Sequence, residues 1–338
     1  MYHGRFKGNH YQIGKKWGSL VKVNGKNLLD HIPYQITTEM KKFTAESLPF
    51  YQKYCPEIIA EIQGIADGQE IKASQLYQVL FPMYAMVNPN HCSSFVVKNE
   101  QHFILGRNSD FLTSIEKLYM NCIYQFTEES YYSFTGNTTA FVEMEDGMNQ
   151  KGLAVALTAV FPKKIQPGIN LGMLVRLILE RCQTIDEGIK LIDDIPRCSN
   201  GTLVLADQQG QAALVEFTCE EVAIKKKDTV GFFAATNAFH LSEMKNNRVQ
   251  LDDDWFAEER YQTLSQYLTK YYQKLTIEKA QKLLAGDFGF ICQYDRKSGK
   301  DTVWSCIYDM NHLNIWRSEG NPQRKAFKRD ERISRLFF

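Results

Sequence analysis

"NHCSSFVVKNEQHFILGRNSDF", Asn90 to Phe111, is the stretch from which the rest of the chain is read. SFVVK and HFILG are short runs of apolar, strand-forming residues, and Asn99-Glu100-Gln101 between them reads as a turn. A hairpin folded there brings His102–Arg107 back alongside Cys92–Ser94 and lets Arg107, Asn108 and Asp110 emerge near the cysteine. Gly106 would permit close backbone approach at that point. An arginine beside a thiol favours the nucleophilic thiolate. Local sequence leaves a second reading open, in which Arg107 and Asp110 form a surface ion pair and Cys92 is an ordinary core thiol.

Upstream, the first ninety residues read as mainly helical after a short opening. NLLDHIPYQITTEMKKF and PEIIAEIQGIADGQ space their apolar residues three and four apart, and Ser74 is placed to cap SQLYQVLFPMYAM. Pro89 breaks the pattern within Val87–Asn90. Downstream come the strand-like runs NCIYQF, YYSFTG and GLAVALTAV, then helices between about Gly168 and Asp194, with a capping box at Thr184-Ile185-Asp186-Glu187. GTLVLAD, QAALVEF, EVAIKKK and VGFFAAT form a second strand group. A charged helical stretch from about Asp252 to Leu284 leads to closing strands in TVWSCIYD and HLNIWRS. Runs of strands alternating with runs of helices give an α+β class.

The 338 residues carry a net charge of +1, with 44% hydrophobic and 23% charged residues. Nothing in that balance draws the chain to nucleic acid or to a membrane surface. No apolar run approaches the roughly 18–20 residues of a membrane span. The opening MYHGRFKGNHYQIGKKWG lacks the apolar core of a secretory signal, so a cytoplasmic location is expected. The eight cysteines show no CxxC pair and no zinc spacing, so no metal is expected and most are read as reduced core thiols. No GxGxxG or P-loop pattern supports nucleotide-phosphate chemistry.

A cysteine nucleophile needs a base, and the histidines at 3, 10, 31, 91, 102, 240 and 312 carry no Cys–His signature. His91 is adjacent, but in an extended segment its side chain points away from that of Cys92. Cutting the chain before the cysteine supplies another base. The freed α-amine titrates near about 7.7–8.0 and sits on the nucleophile's own residue.

HCSSF…GRNSDF resembles the cysteine N-terminal-nucleophile hydrolases, in the branch of the acyl-coenzyme A:6-aminopenicillanic acid acyltransferases, with conjugated bile acid hydrolases as more distant relatives. The resemblance continues in order through DGMNQKGLAVALTAV, ERCQTIDEGIKLIDDIP with GTLVLADQQGQAALVEF, FAATNAFH, and TVWSCIYD…EGNP, covering roughly residues 5 to 322. It implies an αββα sandwich of two mainly antiparallel sheets flanked by helices. It also implies a precursor that cleaves itself at His91–Cys92 by an N→S acyl shift. Residues 1–91 would then remain as a small, mainly helical chain associated with the catalytic portion 92–338, the two forming one structural domain.

Carried over by position, Cys92 would be the nucleophile and its amine the general base. Asp110 would orient that amine, and Arg107 would stabilise the thiolate or a substrate carboxylate. Asn237 would donate its amide to the oxyanion. Asn108 and Ser93 are supporting candidates, Thr158 a second oxyanion candidate, and Arg296 the candidate for the family's late arginine. Where relatives carry Gly before the cysteine and Thr after it, this chain has His91 and Ser93, and the bulk of His91 would slow self-cleavage. The implied activity is hydrolysis or transfer of an acyl group from a small amide or thioester. No cofactor is expected, and a coenzyme A thioester stands as a candidate substrate. Expected partners are a small acyl substrate, the two fragments for each other, and a second copy in a homo-oligomer. The alternative is an uncleaved, inactive relative that serves as a binding or scaffold protein. The basic tail QRKAFKRDERISRLFF reads as a solvated terminus.

Overall fold

Alternation along single strands defines the layers. In the computed structural model, which describes residues 1–87 and 91–333, Leu203 and Leu205 pack against helices while Val204 and Ala206 pack against a second sheet. In that second sheet Leu105 joins the inter-sheet core and Ile104 faces another helical layer. Strands buried on both faces need cover on both sides, and the result is four layers in the order α, β, β, α. The sequence breaks expected within Val87–Asn90 and at the chain end reach positions 88–90 and 334–338, which lie outside the described residues.

The chain opens with β1 (Tyr2–Gly8), α1 (His10–Val23), α2 (Thr38–Tyr54), α3 (Pro56–Gln69) and α4 (Ala73–Leu80). The hairpin β2 (His91–Lys98) and β3 (Phe103–Leu112) follows, then β4 (Met120–Phe126), β5 (Phe134–Thr138), β6 (Asp146–Asn149) and β7 (Ala154–Ala159). Next come α5 (Leu171–Arg181), α6 (Ile185–Asp194), β8 (Gly201–Ala206), β9 (Ala212–Phe217), β10 (Val222–Lys227) and β11 (Gly231–Ala235). The last elements are α7 (Ala257–Tyr271), α8 (Ile277–Leu284), β12 (Lys300–Asp309), β13 (Asn314–Ser318) and β14 (Lys328–Arg329). One sheet runs β1-β4-β5-β6-β7-β8-β9-β10 and the other β11-β2-β3-β12-β13-β14. Between these strands every described pairing is antiparallel except β1 with β4, a crossover that fastens the start of the chain to a strand beyond the hairpin.

Several local expectations are corrected. Cys92 lies opposite Ser109, Ser94 opposite Arg107 and His91 opposite Asp110, while Phe95–Lys98 take Phe103–Gly106. The pairing closes tightly because Asn99 accepts from the backbone of Gln101 and His102 through Oδ1 and donates its own N–H to His102 O. A Cβ on Gly106 would meet the Phe95 ring at 2.5 Å, so this glycine makes room for a side chain rather than for backbone. Ser74 does not cap α4. The helix starts one residue before it, and the Gln75 side chain accepts from Lys72 N. Thr184 does cap α6, though Glu187 reaches back to Gln183 N rather than to Thr184.

Helices α1 and α3 approach through four glycines. A Cβ on Gly14 would lie 2.0 Å from Glu61 O, and one on Gly18 2.4 Å from Ile65 O. One on Gly64 would lie 2.2 Å from Tyr11 O, and one on Gly68 2.5 Å from Lys15 O. Backbone therefore meets backbone along this seam.

Candidate active site

Side-chain alternation splits the hairpin's polar residues between two faces. Cys92, Arg107 and Ser109 point into the inter-sheet layer, whereas Ser93, Asn108 and Asp110 point toward α7 and α8. On the first face Arg107 is fully buried and donates Nη2 to Cys92 Sγ at 2.8 Å. The same guanidinium donates to Glu145 at 2.9 Å, to Asp146 at 2.7 Å and, through Nε, to Leu157 O at 3.0 Å. Glu145 also accepts from Ser109 and Thr139, and Asp146 from Trp304, Tyr308 and Asn137. The arginine is thus locked against the thiol by a ring of fixed acceptors, and the surface ion-pair reading of Arg107 with Asp110 is set aside.

On the second face the Asp110 carboxylate accepts from Thr302 at 2.6 Å and from Tyr294 at 2.9 Å, and lies 3.6 Å from Arg260. Arg260, on the first turn of α7, is also fully buried. It donates to Cys92 O at 2.6 Å, to Ser93 Oγ at 3.0 Å and to Asn237 Oδ1 at 3.0 Å. Its Nε donates to Trp255 O at 2.9 Å. Trp255 and Phe256 both have φ in the left-handed region, +53° and +60°, a strained entry to α7 that aims the Trp255 carbonyl at Arg260.

The Cys92 peptide N–H donates to Asn237 Oδ1 at 2.8 Å, and Asn237 Nδ2 donates to Ala159 O at 2.7 Å. In the intact chain Asn237 therefore holds the nitrogen of the His91–Cys92 bond with its oxygen, while one amide hydrogen is directed to β7. His91 lies on the Asp110 face, stacked parallel on Trp255 with ring centroids 4.4 Å apart. Its buried Nδ1 has no hydrogen-bond partner among the described residues. Burial, with Arg260 and Lys300 nearby, holds His91 well below the usual histidine range, so the ring is neutral. Burial pushes the Cys92 thiol up to about 12, against the pull of Arg107, and pushes Asp110 up to about 6, against Arg260.

Cys92, Ser93, Arg107, Asp110 and Asn237 are thus brought together around one peptide bond. Asn108 is adjacent in sequence but ties β3 outward, donating to Leu284 O at 2.9 Å and accepting from Ser305 at 2.5 Å. Thr158 is buried and its hydroxyl has no partner among the described residues. Arg296 is placed elsewhere. It is half-exposed and pairs with Glu116 and Asp301, because the turn before β12 points it to the surface. Arg260, and not Arg296, is the arginine that reaches the Cys92 backbone and Asp110. Sequence reading missed it because it sits in a charged helix that looks solvated, and nothing local marks an arginine whose partners, the Trp255 carbonyl apart, are more than twenty residues away. Glu145 and Asp146 were missed because their bonds to Arg107 join segments 38 and 39 residues apart.

A cavity of about 1290 Å³ opens beside His91, walled by Trp17, Met83, Tyr84, Phe141 and Trp255 among others, with Lys300 and Asp253 at the His91 end. Elsewhere, the three metal-donor side chains that lie close together, His10, Glu61 and Glu180, have Arg176 bonded to both carboxylates. No described helix is long and apolar enough to cross a membrane.

The sequence profile of the acyl-coenzyme A:6-aminopenicillanic acid acyl-transferase family matches residues 97–324, well over half of the chain. Among curated proteins, a β-alanyl-dopamine/carcinine hydrolase of Drosophila melanogaster is 21% identical over 246 residues, 62% of this chain. The match spans 63% of that relative's length. Among solved structures, penicillin V acylase from Agrobacterium tumefaciens superposes with a TM-score of 0.51 at 17% identity, over 68% of this chain and 83% of that one. A variant of the conjugated bile acid hydrolase of Clostridium perfringens gives 0.50 at 13% identity, over 73% and 94%. These structural likenesses establish the fold, the αββα sandwich of the N-terminal-nucleophile hydrolases.

Proposed function

The chain belongs to the acyl-coenzyme A:6-aminopenicillanic acid acyl-transferase family of N-terminal-nucleophile enzymes, and from that premise we propose that it is a self-cleaving cysteine amidohydrolase or acyltransferase acting through Cys92. One observation carries the reading. The thiol lies on Arg107 while the nitrogen of its own peptide bond is held by Asn237 and flanked by Arg260 and Asp110. That is the arrangement of a bond prepared for release of an amine.

In the first step Cys92 Sγ attacks the His91 carbonyl carbon, the bond to Cys92 N breaks, and that nitrogen takes the thiol proton. Water then hydrolyses the thioester, leaving a His91 carboxylate and a free thiol and amine on Cys92. The amine is the base a thiol near about 12 requires. In turnover it takes the thiol proton as sulfur attacks the substrate carbonyl and passes it to the leaving amine. Water or a second amine then accepts the acyl group from sulfur. A coenzyme A thioester would enter this scheme as an acyl donor. The apolar walls of the 1290 Å³ cavity suit a small amide with a hydrocarbon or aromatic part. The unpaired state of all eight cysteines supports a reducing compartment such as the cytoplasm.

Intact mass spectrometry tests the reading. Fragments ending at His91 and beginning at Cys92 are expected, absent in Cys92→Ala. A purely full-length chain that never labels at Cys92 with an acyl probe would instead support an inactive binding protein. That second reading has one observation in its favour, the bulky His91 wedged on Trp255.

A further inference from the structure

Acyl transfer needs donors aimed at the oxygen on which negative charge develops. Asn237 directs its oxygen to Cys92 N and Arg260 and one of its two amide hydrogens to Ala159 O, so it offers the oxyanion one hydrogen at most and a second donor facing the cavity is called for. Ten buried side-chain polar groups lack a hydrogen-bond partner among the described residues when grouped by residue, and only His91 and Tyr84 among them line the cavity beside the cleavage bond. His91 lies across the strand from the thiol. Tyr84 does not.

Tyr84 sits in the turn between α4 and β2 with φ +63°, a left-handed conformation costly for an aromatic residue. A neighbourhood that holds such strain over-determines the side chain it aims. The ring packs on the start of α5, where a Cβ on Gly172 would lie 3.0 Å from its Cε2 and 2.8 Å from Glu143 Oε2. Burial, and after it the charges of Glu145, Glu143 and the Cys92 sulfur, hold the phenol well above its ordinary value, so it remains a proton donor. A buried hydroxyl left unpartnered is unfavourable unless something else binds it.

We propose that Tyr84 is a catalytic residue whose hydroxyl donates a hydrogen bond to the carbonyl oxygen of the substrate acyl group and to the oxyanion formed from it. This rests on the acyl-transfer reading of Cys92. The residue belongs to the segment before the cleavage bond, so the small chain would supply part of the catalytic machinery as well as walls of the pocket.

The test is Tyr84→Phe, which removes only the hydroxyl. With a panel of N-acyl p-nitroanilides, kcat/KM falls about 100-fold, mainly in kcat. Affinity for an acyl aldehyde, whose thiol adduct carries the tetrahedral oxygen, falls in parallel. Iodoacetamide alkylation of Cys92 keeps its rate and Tm stays equal or rises, since an unpartnered buried group is gone. The aldehyde measurement needs no turnover and covers a variant that processes poorly. Unchanged kcat/KM together with unchanged aldehyde affinity overturns the proposal, as does an activity loss accompanied by a lowered Tm and slower alkylation, which marks a structural role. A wild-type chain inert to the whole panel and to acyl probes overturns the enzyme reading, and this proposal with it.

Discussion

Asp110 is a carboxyl group whose charge the fold resists. Burial raises it to about 6, although Arg260, Thr302 and Tyr294 favour the ionised form. The folded chain therefore holds this proton more tightly than the unfolded chain, whose value lies near 3.8. The resulting contribution is greatest below the unfolded value and declines as pH rises from about 4 to about 6. In the uncleavable Cys92→Ala background, stability relative to an added Asp110→Asn change should fall by ~2 kcal/mol between pH 4 and pH 7. Urea midpoints at the two pH values read this directly, and parallel midpoints in both proteins would refute the assignment. After cleavage a protonated amine at Cys92 would favour the carboxylate, which shifts the same titration downward. Asp110 thus belongs to two states of the chain, one beside an intact peptide that holds its proton up to about pH 6 and one beside an amine that releases it at lower pH.

The elements around the site depend on close approaches as much as on apolar faces. Gly64→Ala should destabilise the protein by about 1–3 kcal/mol, because its Cβ would be driven against Tyr11 O and α1 must move away. Gly188→Ala, whose Cβ meets nothing nearer than 3.4 Å on α6, serves as the control and should be neutral or stabilising. Thermal unfolding of the pair decides between backbone packing and helix propensity. The contrast bears on what the sequence makes legible. The period-2 runs of β8 and β9, the Thr184 cap and the Cys92 hairpin are local signals, and local signals identify the elements and the α+β class. The strand Asp146–Asn149 went unread because four residues are too few to show a period. The parallel β1–β4 pairing and the helix seam depend on partners far along the chain. At the site, residues beside the cysteine in the hairpin could be found from spacing, and Asn237 from its motif. Arg260 and Tyr84 could not, since one is selected by tertiary hydrogen bonds and the other by backbone strain and an empty hydroxyl.

Across the whole molecule, the bond at His91–Cys92 divides a chain whose two parts share their interior. β1 pairs with β4, and a buried polar cluster joins His10 and Glu61 on the early side to Arg176 and Glu180 on the late side. Tyr124 donates to Glu61 at 2.9 Å and lies under the Arg176 guanidinium. His10 stacks on Phe126, meets the edge of Tyr131, lies 3.2 Å from Glu180 and 3.8 Å from Glu128. With His10 protonated, its charge and that of Arg176 balance the two buried glutamates; with His10 neutral, one negative charge is left over. Burial works against the imidazolium, but Glu180 outweighs it and the histidine is raised above its ordinary 6.5. A raised histidine contributes stability that is complete below about 6.5 and is lost as pH climbs through the folded value. If residues 1–91 stay with 92–338 after cleavage, this cluster is part of what holds them, and their association should weaken as pH rises above that point. His10→Gln keeps a donor of similar reach but removes the titration, so the decline in Tm of the processed protein from pH 6 to pH 9 should be shallower than in the parent. Size-exclusion profiles across the same range report whether the fragments still co-elute. An identical decline in parent and variant would show that the dependence lies elsewhere and that His10 does not couple the two parts.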